Sequence, residues 1–257
     1  MKAVILAGGL GTRMREETEF KPKPMVEIGG KPVLWHIMKI LSSQGISEFV
    51  ILGGYRVEYI KQYFLNLTAN LYNFTVQGSS IEIHSKTDQA ERLWRVTVVD
   101  TGLETLTAGR LMAAREFIGE EDFICTYGDG LADINLNQLL SRHRDSGRIA
   151  TMTVFQPENR FGVVEFSEDF AVNSFKEKPQ MTDWINIGYF VFSRGIWDFL
   201  LRDEPLEEAP LRALSERKEL SANTHDGFWM PMDTFREYSH LNSLWSAGKA
   251  PWMVWQE

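Results

Sequence analysis

The strongest constraint on the fold comes first in the chain. Ala3-Val4-Ile5-Leu6-Ala7 is an unbroken apolar run that stops abruptly on Gly8-Gly9-Leu10-Gly11. A short run of this kind, apolar on both faces, predicts a buried parallel strand feeding a loop. Gly8, Gly9 and Gly11 let the backbone turn with positive φ and come close to a ligand with no Cβ in the way. The N–H groups freed in such a loop form a concave anion site. Arg13 adds a planar fork suited to phosphate oxygens, and Lys23 a point charge a little further on. The plain alternative is a tight strand-to-helix turn that holds nothing.

Two commoner glycine loops are excluded. A nucleotide-triphosphatase loop places Lys-Ser/Thr directly after its last glycine, and no lysine follows Gly11. A dinucleotide fingerprint needs a third glycine where this chain has Met14, and an acidic residue at the end of the next strand, where it has Gly53-Gly54-Tyr55.

Further along, strand and helix signals alternate. Val33 to Leu41 carries apolar residues at helical spacing, with Gly45 beyond it as a C′ residue. Phe49 to Leu52 reads as a second buried strand and Val57 to Leu65 as a helix. Trp94 to Asp100 alternates like a strand. Ala108 to Phe117 reads as a helix with Leu111, Ala114 and Phe117 on one face. Asp122 to Tyr127 is an apolar strand, Leu136 to Arg144 a helix and Ala150 to Phe155 a strand. This order predicts an α/β fold, a Rossmann-like, doubly wound, mostly parallel sheet with right-handed crossovers. Ligands then bind beyond the carboxyl ends of the strands, where the first glycine loop lies.

Two stretches break the alternation. Phe74–Gln77 and Ile81–His84, separated by Gly78-Ser79-Ser80, suggest a hairpin. Phe161 to Phe166 and Val172 to Phe175 suggest another, a small β-rich insertion rather than a further strand–helix unit. Ile185 to Phe192 returns as a strand in which Gly188 suggests close backbone approach to a ligand. Ile196 to Leu201 and Leu211 to Arg217 read as helices, and a last helix runs through Tyr238, Leu241 and Leu244.

Asp129 sits between two glycines at a strand's carboxyl end. There its carboxylate reaches a cleft with room on both sides, a good position for a Mg²⁺ ligand, unless it merely makes an Asp-Gly turn. Glu177-Lys178-Pro179 offers a cation for a phosphate and a carboxylate for hydroxyls, or is a charged turn before proline. Asp233 precedes a helix and fits an N-cap.

The 257 residues fit one large domain, and 44% hydrophobic content allows a sizeable core. We expect one domain over 1–257. Residues 1–155 carry the strand–helix alternation, 156–233 the β-rich insertion and the strand and helices after it, and 234–257 a helical C-terminal tail. No stretch approaches the roughly 20 apolar residues of a membrane span, and the N-terminus does not read as a signal peptide. A cytoplasmic protein without membrane partners is expected. The net charge of −8 disfavours nucleic acid as a partner. Cys125, the single cysteine, lies in an apolar strand pattern and reads as a buried inert thiol. Trp245, Trp252 and Trp255 suit either core packing or self-association into a homo-oligomer.

Gly8-Gly9-Leu10-Gly11-Thr12-Arg13, followed by Lys21-Pro22-Lys23-Pro24, resembles the sugar-phosphate nucleotidylyltransferases. Lys23 to Pro32 with Leu34-Trp35-His36-Ile37-Met38 is similar in particular to the glucose-1-phosphate cytidylyltransferases. The likeness continues through Tyr127 to Gly130, Glu177-Lys178-Pro179, Met232-Asp233-Thr234 and Lys249 to Trp252, nearly the whole chain. It implies a nucleotide-diphospho-sugar transferase fold, the substrates CTP and glucose 1-phosphate, and Mg²⁺, with 1–155 the mainly nucleotide-binding half and 156–233 the mainly sugar-phosphate-binding part. By the resemblance, Leu6, Ala7, Gly8, Gly9, Leu10, Gly11, Thr12, Arg13, Lys23, Thr105, Arg110 and Gly128 hold the nucleotide. Glu177, Lys178 and Gly188 hold the sugar phosphate, and Asp129 and Asp233 hold the metal. Arg13, Lys23 and Asp129 carry the catalysis. Thr87 to Leu93 departs from the family's pattern. The rival readings are the same chemistry with UTP, dTTP or GTP, a non-catalytic sugar-nucleotide sensor, and a nicotinamide-dependent oxidoreductase.

Overall fold

The computed structural model describes residues 1–11, 14, 18–71, 73–84 and 93–255. Thr12, Arg13 and most of the divergent 87–93 segment lie outside these residues. Seven strands form one sheet, numbered here along the chain: β1 (Lys2–Ala7), β2 (Glu48–Gly53), β3 (Arg95–Asp100), β4 (Phe123–Tyr127), β5 (Ala150–Phe155), β6 (Ile185–Phe192) and β7 (Leu220–His225). Their spatial order is β7-β5-β6-β4-β1-β2-β3. Strands β1 to β4 are mutually parallel, as are β5 and β7, while β6 runs antiparallel to both β4 and β5. The sheet is therefore mixed but mostly parallel, in an α/β fold.

Both faces of the central strands are buried, as their unbroken apolar runs demand. Ala3, Ile5, Ala7, Phe49 and Ile51 pack on one side with the helix Val33–Ser42 and with Trp252 and Trp255 of the tail. Val4, Leu6, Val50, Leu52 and Cys125 pack on the other with the helices Thr107–Ala113 and Ala209–Glu216. Cys125 is fully buried and burial pushes its thiol pKa up, so it is inert. Trp252 is wholly enclosed, and its indole N–H donates to His36 Nδ1 at 3.3 Å. These two tail tryptophans are part of the core, which removes them as an argument for self-association.

The register positions the site. Ala7 lies beside Gly53, Gly53 beside Asp100, and Leu6 beside Tyr127. The carboxyl ends of four parallel strands thus end level along one edge. Because β6 runs the other way, its first residues reach the same edge.

Several expectations need correction. The helix from residue 57 runs to Leu71, not Leu65, and the strand predicted from Trp94 begins at Arg95. The helix expected over 108–117 is two, Thr107–Ala113 and Arg115–Ile118, because Ala114 leaves the helical region at φ −103, ψ 6. That break turns Phe117 out to 40% exposure and lets Ile118 take its place in the core. The segment 196–201 is a 3₁₀ turn over Arg194–Asp198. Strand β7 was not expected, because Leu220-Ser221-Ala222-Asn223-Thr224-His225 is too polar to read as a strand. Both hairpins are present, as Asn73–Gln77 with Ser80–His84 and as Val163–Phe166 with Val172–Lys176.

Candidate active site

The glycine loop follows β1 on the level edge. Only Gly11 of its three glycines has positive φ, at 62°. Thr18, which is buried, closes the turn by donating to the carbonyls of Gly11 at 2.9 Å and Met14 at 2.8 Å. Gly8 is required for another reason. A Cβ there would lie 2.5 Å from Arg110 Nε and closer still to Cζ and Nη1. Among the described residues no atom lies within 4 Å of a Cβ position on Gly9, so there the loop leaves room beside its backbone.

Arg110 is 4% exposed and braces the edge. Its Nη1 donates to Thr101 Oγ1 at 2.6 Å, Gly102 O at 2.8 Å and Gly53 O at 3.2 Å, and its Nη2 to Gly8 O at 3.0 Å and Leu103 O at 3.3 Å. Burial lowers its pKa, partly offset by Asp203 and Asp100. Three strand-end loops are thereby tied to one guanidinium. Thr105 lines a cavity at this edge, with its hydroxyl donating to Thr101 O at 2.5 Å.

Lys23 sits in a 3₁₀ turn, Lys23–Met25, between Pro22 and Pro24. Gly128 makes room for this turn: a Cβ on it would be 2.9 Å from Pro24 Cγ and 3.0 Å from Leu6 O. The Lys23 ammonium contacts Asp129 Oδ2 at 2.7 Å and Asp233 Oδ1. Burial works to lower its pKa, but the fields and hydrogen bonds of Asp129 and Asp233 outweigh it and the net shift is upward.

Two short strands bring these carboxylates together. Gly130–Ala132 pairs antiparallel with Trp229–Pro231, and the Met232 N–H donates to Asp129 O at 2.8 Å. Asp233 is not the N-cap of the following helix. Thr234 is, in a capping box with Glu237, whose carboxylate also takes the Asp233 N–H at 2.9 Å. The Asp233 side chain is thereby left to turn toward Lys23. Two carboxylates meeting around one cation suit a divalent metal such as Mg²⁺, which takes one or two carboxylates and completes its shell with substrate phosphates and water. Among the described residues no cluster of three or more His, Cys, Asp or Glu could hold a metal ion.

Two cavities meet here. One, about 270 Å³, is walled by Gly9, Gly11, Lys23, Gly128, Asp129 and Asp233. The other, about 540 Å³, shares Gly9, Asp129 and Asp233 and extends past Thr105, Arg110 and Asn186. It adds residues that no sequence motif singled out for a role: Tyr127, Glu207 and Trp229. Tyr127 donates its hydroxyl to Glu207 Oε1, and Thr107 donates to Glu207 Oε2 at 3.2 Å. Burial, then the Glu207 charge, pushes the Tyr127 pKa up.

Gly188 gives the expected close approach, but to protein. It has φ 81° in a bulge of β6, and a Cβ there would be 2.6 Å from Tyr127 Cε2. Glu177 and Lys178 lie outside both cavities, exposed and 3.8 Å apart, at the end of the hairpin Val163–Phe166/Val172–Lys176.

A family model described as nucleotidyl transferase matches residues 2–246, and the chain belongs to that family of enzymes. It is 45% identical, over 100% of both chains, to the glucose-1-phosphate cytidylyltransferase of Salmonella typhi. It is 44% identical to the probable glucose-1-phosphate cytidylyltransferase of Bacillus subtilis, over 99% of this chain and 100% of the relative. The crystal structure of HddC from Yersinia pseudotuberculosis shares the fold, with a TM-score of 0.69 at 24% identity over 95% of this chain and 99% of that one.

Proposed function

We propose that the protein transfers CMP from CTP to α-D-glucose 1-phosphate, giving CDP-glucose and pyrophosphate. One observation carries the reading. Lys23 and two carboxylates converge where a glycine-walled cavity opens into a larger one, in a chain similar end to end to cytidylyltransferases of this name.

In this reaction a phosphate oxygen of the sugar phosphate attacks the α-phosphorus of CTP in line. The bond to the β-phosphate oxygen breaks, and its electron pair leaves with pyrophosphate. The attacking oxygen is already anionic near neutral pH, so no general base is needed. The obstacle is charge: two unit charges about 4 Å apart repel by roughly 4 kcal/mol at an effective dielectric of 20. The chain's own groups counter this by positioning and by neutralisation. Backbone amides of the Leu6–Gly11 loop receive the triphosphate, with Gly9 giving the open approach. Lys23 neutralises charge as it moves between phosphates, and Arg13 is proposed to stabilise the leaving pyrophosphate. Arg110 holds the Thr101–Thr105 loop that faces the nucleotide. Asp129 and Asp233 would hold a divalent metal, taken as Mg²⁺, which supplies Lewis-acid polarisation when bound.

The larger cavity, with Tyr127, Asn186 and Glu207, is proposed for the sugar. Lys178 and Glu177 are proposed to reach the sugar phosphate from the adjoining hairpin. Among the described residues no helix is long and apolar enough to cross a membrane.

The test is a panel of CTP, UTP, dTTP and GTP, each with glucose 1-phosphate and Mg²⁺, scored by pyrophosphate release. CTP is expected to be turned over fastest. Preference for another triphosphate overturns the base assignment, and no turnover with any overturns the reaction.

A further inference from the structure

The Lys23 ammonium stands where the function just proposed needs a metal. It touches Asp129 Oδ2 at 2.7 Å and Asp233 Oδ1, and its side chain is 11% exposed against 37% and 30% for theirs. A divalent cation binding both carboxylates would lie about 2 Å from their oxygens, in the space the ammonium fills. Two cations do not share that space, so Lys23 must leave before the carboxylates can act as ligands. It does not leave for nothing, since a buried ammonium needs another anion.

The fold supplies the place for one. The Lys23 stem starts against the glycine loop, its Cβ only 3.3 Å from where a Cβ on Gly11 would be. The cavity it borders is lined by Gly9 and Gly11 as well as by Asp129 and Asp233. Four flexible methylenes let the head swing from the carboxylates toward the glycine loop.

We propose that in the nucleotide-free protein Lys23 holds the cation seat between Asp129 and Asp233, and that a triphosphate arriving on the glycine loop draws it away. The carboxylates then accept a metal only together with the nucleotide. This rests on the metal-dependent reading above. Its consequence is that Lys23 shields two neighbouring carboxylates from each other, and from stray divalent ions, while the site waits.

The experiment counts free Mn²⁺ by electron paramagnetic resonance during titration of the full-length protein without nucleotide. Wild type, Lys23→Met, Lys23→Gln and the double variant Lys23→Met/Asp233→Asn are compared. Removing the competing ammonium is expected to tighten Mn²⁺ binding by about tenfold or more in both single variants, the effect of deleting one buried ion-pair competitor. The added Asp233→Asn change is expected to abolish the gain. If wild type binds Mn²⁺ alone as tightly as Lys23→Met does, the proposal is overturned. It is equally overturned if Lys23→Gln, which keeps a hydrogen-bonding head, gains nothing. A separate arm adds CTP to wild type and to Asp129→Asn/Asp233→Asn. If CTP recruits Mn²⁺ equally well to both, the metal-ligand reading fails as well; if only wild type recruits it, that reading stands whatever the fate of the Lys23 proposal.

Discussion

Gly8→Ala tests how the glycine loop is held. Gly8 is outside the positive-φ region, so alanine meets no backbone penalty there. The whole cost comes from the new methyl, which would lie 2.5 Å from Arg110 Nε and nearer to Cζ and Nη1. Comfortable contacts begin at about 3.5 Å, so the guanidinium must retreat by at least about 1 Å. That distance breaks the bond to Gly8 O at 3.0 Å and weakens those to Gly53 O and Thr101 Oγ1. Hydrogen bonds to a charged group contribute about 1.5–3 kcal/mol each, so one broken and two weakened, the equivalent of losing two, costs about 3–6 kcal/mol. Gly9→Ala, with nothing within 4 Å among the described residues, is expected to change stability by less than about 0.5 kcal/mol. Urea unfolding followed by tryptophan fluorescence measures both. The decisive comparison is a double-mutant cycle. In an Arg110→Ala background the Gly8→Ala cost should fall below about 1 kcal/mol, because the clash has gone. An equal cost with and without Arg110, or a Gly8→Ala variant as stable as Gly9→Ala, would refute the brace.

Three further outcomes are expected. Lys23→Met and Asp129→Asn should each lower turnover by about 10²–10³-fold, as for loss of a transition-state charge contact, with unchanged far-ultraviolet circular dichroism; wild-type rates in either would remove that residue from the chemistry. His36 is fully buried, and burial holds its pKa down at about 4 against 6.5. The unfolded chain therefore binds the extra proton first, and stability is lost as pH falls from about 6.5 through 4, by about 3 kcal/mol in all. Denaturation curves across this window should be flatter for His36→Gln, and parallel curves would rule the residue out as the source. With one isomer of CTP carrying sulfur on its α-phosphate, a single in-line displacement gives CDP-glucose of inverted configuration at phosphorus; retention would mean a covalent nucleotidyl intermediate.

Much of the frame was legible in the chain. Ala3 to Ala7 and Phe49 to Leu52 announce buried strands because residues on both faces are apolar, and the structure buries both faces. Glycines were legible as needs for space, but not as to what fills it. At Gly8 it is Arg110 and at Gly188 it is Tyr127, contacts between residues about 100 and about 60 positions apart along the chain, respectively, that no local pattern encodes. By local pattern alone Asp233 fits an N-cap, and only the resemblance pointed to a metal ligand; the capping box of Thr234 and Glu237 shows the cap lies one residue later. The meeting of Asp129 with Asp233 depends on two strands of three residues each, too short to leave a signature. Glu207 had no motif at all. It reaches the cavity because its loop is docked by Asp203, which takes the Leu106 N–H at 2.8 Å, and by the Thr107 hydroxyl, which takes the Leu206 N–H at 2.6 Å.

The most direct measurement is a crystal structure with CTP and Mg²⁺ bound. The arrangement predicts the α-phosphorus over the Gly9–Gly11 backbone, with Lys23 turned onto the phosphates and the metal between Asp129 and Asp233. A triphosphate bound away from that loop, or a Lys23 still clasped by both carboxylates with CTP in place, would contradict it.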